Sequence, residues 1–102
     1  MPTYLVSYHG GSAPDSPEAA AMMLAAFQAW ASGVGDKMID PGAPLGAARA
    51  VTAEGAEPAE GTGPGGYTLL RADDMDAAVA LVADHPFVAR GGTLIVSEAM
   101  AL

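Results

Sequence analysis

Residues 3 to 9, TYLVSYH, carry two sets of side chains that alternate along the sequence, and this pattern predicts a β-strand at the start of the chain. The segments GYTLLRA, residues 66 to 72, and TLIVSEA, residues 93 to 99, predict two more strands from their β-branched, aromatic and leucine content. The alternation divides the first strand into two faces: Tyr4, Val6 and Tyr8 on one, and Leu5, Ser7 and His9 on the other.

Shorter segments in the middle of the chain give weaker patterns. KMID, residues 37 to 40, predicts a short strand that ends at Pro41 and Gly42, and ARAVTA, residues 48 to 53, predicts another that could be a hairpin arm. The composition of EGAEPAEGTGPGG, residues 54 to 66, predicts a loop, and its acidic residues argue against a phosphate-binding loop.

Two helices are predicted between these strands. Ser16 is a suitable N-cap and Pro17 a suitable first residue for a helix that runs to about Gly33. Asp73 or Asp74 caps a second helix, which ends before Pro86. The first helix carries an apolar stripe at helical spacing, formed by Met23, Phe27, Trp30 and Val34.

The order of these elements predicts the fold class. Strand, helix, strand or hairpin, strand, helix, strand is typical of an α+β protein, a ferredoxin-like split βαβ fold with two helices on one face of an antiparallel sheet. At 102 residues we expect one domain, residues 1 to 102. Bulky apolar residues occupy both strand faces, and 23 residues are alanine, so we expect a homodimer that buries the helix-free face.

Charge and composition narrow the range of partners. The formal net charge is −8, with Lys37, Arg49, Arg71 and Arg90 as the fixed cations, so nucleic acid and membrane surfaces are not expected to bind. No segment has the length and hydropathy of a membrane span or signal peptide. The absence of cysteine excludes disulfides and zinc–thiolate sites, and the cytoplasm is the expected location.

Two histidines are the candidates for proton transfer near neutral pH. His9 ends a strand at a glycine pair and is a candidate general base, or alternatively an edge residue with a structural hydrogen bond. Asp40 could orient the His9 ring, or could be an ordinary turn aspartate. His85 lies between Asp84 and Pro86, where a partly positive ring could cap the second helix or could contribute to ligand binding.

Other side chains are candidates for ligand binding. Tyr8, Tyr67 and Trp30 could stack on an aromatic ligand, although aromatic residues at this spacing also form cores. Arg49 and Arg71 could hold a carboxylate, or could pair with acidic side chains. No histidine and carboxylate spacing predicts a metal site, and no cofactor is expected.

Several segments taken in order resemble the YCII-related proteins, which include the DGPF group. The resemblance rests on YLVSYHG, FQAW, GGYTLLRADDMDAAVALVADHP and GGTLIVSEAM, and it spans nearly the whole chain. It implies a dimeric α+β barrel, and some similar proteins are thought to use a histidine and aspartate pair for proton transfer.

Two functions are therefore expected for the chain. The first is a cofactor-free enzyme of isomerase or lyase type, in which His9 is the general base, Asp40 orients it and an arginine holds an anionic group. Its substrate would be a small organic acid or phenol. The second is a non-catalytic dimeric module that binds a small molecule or a partner in the same cleft.

Overall fold

The computed structural model describes residues 1 to 59 and 61 to 101. It contains a four-stranded antiparallel sheet, a separate two-stranded hairpin, three α-helices and a short 3-10 helix at Gly35–Lys37. In chain order the elements are β1 (Thr3–Gly10), α1 (Pro17–Val34), β2 (Met38–Pro44), β3 (Arg49–Thr52), β4 (Gly55–Pro58), β5 (Gly66–Arg71), α2 (Met75–Val82), α3 (Pro86–Ala89) and β6 (Gly92–Ala99).

The main sheet has the strand order β2-β5-β1-β6, with every neighbouring pair antiparallel. Strand β1 is central, and its Val6 lies opposite Thr68 of β5 and Val96 of β6. This order is that of a ferredoxin-like α+β fold, as the sequence predicts.

The two expected helix starts are present. Ser16 Oγ accepts a hydrogen bond from the Ala19 amide at 3.0 Å, and Pro17 follows in the first turn. Of the two aspartates that could cap the second helix, Asp74 does so, because its Oδ1 accepts a hydrogen bond from the Ala77 amide at 2.8 Å. Helix α1 ends at Gly35, whose φ of 66° is easily reached only by glycine.

The helices cover one face of the sheet. Val6 and Leu70 from the strands pack in one core cluster with Trp30 and Val34 of α1 and Val82 of α2. Tyr4 begins a second cluster near the other end of β1. The alternation in β1 therefore directs Tyr4, Val6 and Tyr8 toward the helices.

The opposite face of the sheet carries no helix. Leu5 is 38% exposed and Ile95 is 48% exposed on this face, where Ser7 lies opposite Ile95 in the register of β1 and β6. We call the surface formed by Leu5, Ser7, His9, Leu69 and Ile95 the helix-free face.

Three sequence predictions need correction. Strand β2 does not end at Asp40 but continues through Pro41 and Gly42 to Pro44, with irregular pairing to β5 that lets it bend past these residues. The segment predicted as a loop contains β4, which pairs with β3 in a hairpin. A third helix, α3, begins at Pro86, which the sequence indicated only as a stop.

None of the described helices is long and apolar enough to cross a membrane.

Candidate functional site

A cavity of about 610 Å³ lies between the sheet and helix α1, at the end of the fold where β1 ends and β5 begins. Strands β1, β2 and β5, helices α1 and α3 and the loop after β1 all contribute to its wall. No described residue of that wall is charged. The lining residues with larger side chains are Tyr8, Met23, Leu24, Phe27, Tyr67 and Phe87, and those with smaller ones include Ser12, Ala43 and Thr68.

Tyr8 provides the main polar group of this cavity. Its hydroxyl is 2.7 Å from Thr68 Oγ1 and 2.8 Å from His85 Nε2. The ring is held edge-on by Phe87, with ring centroids 5.2 Å apart and planes at 68°. Because β1 places Tyr8 on the helix side of the sheet, its hydroxyl lies where the cavity meets the core.

His85 lies behind Tyr8 and is buried, with 2% of its surface exposed. Its Nδ1 accepts a hydrogen bond from the Phe87 amide at 3.0 Å, so the imidazole caps the N-terminus of α3. Trp30 packs against the ring with centroids 4.2 Å apart, and the Trp30 indole N–H donates to the Leu81 carbonyl at 2.9 Å.

The surroundings of His85 favour the neutral ring. The pKa of His85 is lowered from 6.5 to about 4, mainly by burial and also by the positive charge of Arg90, while the negative charge of Asp84 opposes both. The Nδ1 atom also accepts a backbone N–H and therefore carries no proton of its own. The sequence-based idea of a partly positive ring at the end of α2 is therefore wrong: His85 is neutral and caps α3.

Tyr8 is held in its neutral form as well. Burial raises the pKa of its phenol. The buried end of the cavity is thus polar but uncharged.

Two glycines allow the wall of the cavity to close tightly. Gly42 has a φ of 79°, and a Cβ there would overlap the Tyr67 carbonyl. A Cβ at Gly92 would overlap the ring of Phe87. Both positions therefore need glycine for the chain to approach this closely.

Neither His9 nor Asp40 lies in the cavity wall. His9 Nε2 is 2.9 Å from Ser7 Oγ, on the helix-free face, and its side chain is partly exposed. Asp40 Oδ1 accepts a hydrogen bond from the Gly42 amide at 2.8 Å, which is the turn aspartate alternative. No hydrogen bond joins the two residues within the described part of the chain, and a catalytic role for either stays a prediction.

Of the four predicted ligand-binding residues, one lies in the cavity wall, two lie behind it and one lies far from it. Tyr67 lines the cavity. His85 and Trp30 lie in the layer behind its wall, where they support Tyr8. Arg71 is exposed at the far end of β5, opposite Thr3, and is not a cavity residue.

The cavity residues that the sequence did not indicate include Thr68 and Phe87. Strand alternation could have placed Thr68 on the core face with Leu70, where a buried hydroxyl needs a partner. The contacts of Tyr8 with His85 and Phe87 join residues far apart in sequence, which no local pattern reveals.

Residues 1 to 59 and 61 to 101 contain no group of three histidine or acidic side chains arranged to hold a metal ion.

This fold and cavity define an α+β protein of ferredoxin-like topology with an apolar pocket beside its sheet. Among solved structures it is similar to the 5-chloro-2-hydroxyhydroquinone dehydrochlorinase TftG from Burkholderia phenoliruptrix AC1100, determined in complex with 2,5-dihydroxybenzoquinone. The sequence identity is 21%, the TM-score is 0.60, and the match covers 98% of this chain and 95% of that one. At this identity the likeness shows the fold.

Comparison with protein-family models finds no match, and comparison with curated proteins finds none either. Membership in the YCII-related family stays a prediction.

Proposed function

We propose that this protein binds a small, uncharged organic molecule about the size of a substituted aromatic ring in the 610 Å³ cavity. The volume lies within the roughly 300 to 1,000 Å³ typical of small-molecule sites. The observation that carries the proposal is the combination of an apolar wall with one buried polar end, formed by Tyr8 and Thr68. Such a site binds an apolar body and orients it through one polar group.

The charges of the site favour a phenol over an organic acid. No described residue of the cavity wall is a cation, and Arg71 lies at the far end of β5. A carboxylate that entered the cavity would lose its hydration without gaining an ionic partner, which is strongly unfavourable. A neutral hydroxylated ring carries no such cost.

The ligand of the structural neighbour is similar in size to the proposed ligand. TftG is described in complex with 2,5-dihydroxybenzoquinone, a small oxygenated ring compound. The proposal for this chain rests on its own cavity, and the neighbour's ligand agrees with it in size.

Ligand titration of cavity variants tests the proposal. We expect 4-ethylphenol to bind saturably in isothermal titration calorimetry and 4-ethylbenzoate not to bind. Leu24 lines the cavity from α1, so Leu24→Trp should fill its mouth and abolish binding. Met22 lies on the same helix but is outside the cavity wall and exposed, so Met22→Trp is a matched control that should bind normally. Unchanged binding by Leu24→Trp would place the ligand elsewhere.

The second candidate is a cofactor-free proton-transfer enzyme with His9 as general base. It is favoured by the partial exposure of the His9 ring, which leaves the imidazole accessible on the helix-free face. A substrate cleft there would need a second copy of the chain as its other wall. If this candidate holds, His9→Ala abolishes turnover of a hydroxylated ring substrate and leaves 4-ethylphenol affinity in the cavity unchanged. If His9→Ala retains full turnover, the candidate fails.

We also propose that the protein forms a homodimer of the dimeric α+β barrel type through the helix-free face. The support is the partial exposure of Leu5 and Ile95 on strands whose other face is already covered. Burial of these side chains against a second copy would add apolar contact to a small core.

A further inference from the structure

A chain of four hydrogen bonds runs behind and along the polar end of the cavity. The Phe87 amide is 3.0 Å from His85 Nδ1, and His85 Nε2 is 2.8 Å from Tyr8 Oη. The chain continues from Tyr8 Oη to Thr68 Oγ1 at 2.7 Å, and from Thr68 Oγ1 to the Pro41 carbonyl at 2.9 Å.

Backbone groups at both ends determine which atom donates in each of these hydrogen bonds. The Phe87 amide can only donate, so His85 Nδ1 accepts and the ring proton resides on Nε2, which donates to Tyr8. The Pro41 carbonyl can only accept, so the Thr68 hydroxyl donates to it. The Tyr8 hydroxyl hydrogen therefore goes to Thr68 Oγ1, and the assignments from the two ends agree.

With these assignments, both hydroxyl hydrogens of the buried polar end are already donated within the protein. Tyr8 Oη donates to Thr68 and accepts from His85, and Thr68 Oγ1 donates to Pro41 and accepts from Tyr8. What remains free on both oxygens is acceptor capacity alone. Thr68 is fully buried and Tyr8 is partly exposed, so a ligand that reaches the Tyr8 oxygen must bring its own hydrogen.

We infer that the buried end of the cavity recognises a hydrogen-bond donor, so that the ligand is a hydroxyl compound such as a phenol and not the corresponding ether or ketone. This inference rests on the proposed function of the cavity and specifies the polar group of its ligand. Thr68 acts as a specificity residue, because its bond to Pro41 forces the Tyr8 hydrogen away from the ligand. His85 is a positioning residue behind Tyr8.

Ser12 also lines the cavity, but it is exposed in the loop after β1. Water can satisfy its hydroxyl whether or not a ligand bonds to it, so Ser12 discriminates weakly between ligands. Tyr67 lies opposite Ser7 in the register of β1 and β5, so strand alternation directs its side chain to the helix-free face. The buried pair decides the preference.

The test compares 4-ethylphenol with 4-ethylanisole, which replaces the hydroxyl hydrogen by a methyl group. We expect the wild-type protein to bind the phenol about tenfold more tightly, the value of one good hydrogen bond. Equal affinity for the two compounds would overturn the inference and leave the proposed function standing. If neither compound binds, the proposed function fails together with the inference.

The variant Thr68→Val tests the direction of the four hydrogen bonds. It keeps the side-chain shape and removes the acceptor for the Tyr8 hydrogen, which is then free to point into the cavity and bond the ether oxygen. The preference for the phenol should fall from about tenfold to about twofold or less, because the ether gains the bond that it lacked. Thr93→Val, on β6 opposite His9 and outside the cavity wall, should keep the wild-type preference.

An unchanged preference in a folded Thr68→Val protein would overturn the assigned direction. If this variant does not fold, the comparison of the two ligands on the wild-type protein still decides the inference.

Discussion

The residue that most defines the site is His85, which is neutral because of where the chain places it. It is buried among Tyr8, Trp30 and Phe27, which carry no charge, and the charged groups that act on it are Arg90 and Asp84. Its two nitrogens are both engaged, one by the backbone and one by Tyr8. A second proton on this ring would break the bond to the Phe87 amide.

This environment predicts a pH dependence of stability. The pKa of His85 falls from 6.5 to about 4 in the folded protein, so the unfolded chain binds more protons between these values. The contribution of His85 to the free energy of unfolding is therefore fully present above about pH 6.5. It decreases by roughly 3 kcal/mol as the pH falls toward 4. Urea unfolding at a series of pH values measures the effect.

The variant His85→Asn separates this effect from the titration of carboxylates. Asparagine keeps an N-cap for α3 but does not titrate in this range. The stability difference between wild type and His85→Asn should shrink as the pH falls from 7 to 4.5. A constant difference between wild type and His85→Asn would show that His85 does not carry the pH dependence.

At the scale of elements, the irregular strand β2 shapes one wall of the cavity. Its pairing with β5 shifts between Asp40 and Ala43, and Gly42 lies at this irregularity with a φ of 79°. The Asp40 side chain accepts the Gly42 amide, which stabilises the bend. The bend brings residues 41 to 44 to the cavity wall.

We predict that Gly42→Ala lowers the free energy of unfolding by about 3 kcal/mol, because of the positive φ and the overlap of its Cβ with the Tyr67 carbonyl. Gly33→Ala in α1 is the matched control, since a Cβ there has open space, and it should be neutral or stabilising by up to about 1 kcal/mol. Equal stabilities of the two variants in urea unfolding would mean that β2 can rearrange freely.

The elements themselves were largely predictable, whereas the site was predictable only in part. Capping by Ser16 and alternation in β1 are local signals, and both were correct. Strand β2 was cut short because proline and glycine usually end strands, and only pairing with β5 carries it further. The Tyr8–His85 contact joins β1 to the segment before α3, so it depends on tertiary packing that no local pattern encodes. The sequence indicated Tyr8 only as a residue that could stack on an aromatic ligand, and it indicated the neighbouring His9 as the candidate base.

At the scale of the whole molecule, the fold separates two surfaces that could serve function. The helix side of the sheet holds the cavity, with its uncharged polar end. The helix-free face holds His9 and the exposed apolar residues Leu5 and Ile95. We propose ligand binding at the first surface and self-association through the second.

The predicted homodimer is tested by sedimentation equilibrium at micromolar concentration. The wild-type protein should sediment at twice its chain mass of 10.1 kDa. Ile95→Glu should give the monomer, because a charge cannot be buried in an apolar interface without a partner. Val51→Glu on the exposed β3 strand should remain dimeric. A wild-type mass of one chain would refute the dimer.

An NMR titration measures directly whether the cavity between the sheet and α1 binds a ligand. Backbone amide shifts of the ¹⁵N-labelled protein are followed as 4-ethylphenol is added. We predict saturable changes that centre on Tyr8, Thr68 and Phe87, with small changes at Ser7, His9 and Ile95. Absence of saturable changes, or changes confined to the helix-free face around His9, would contradict the account.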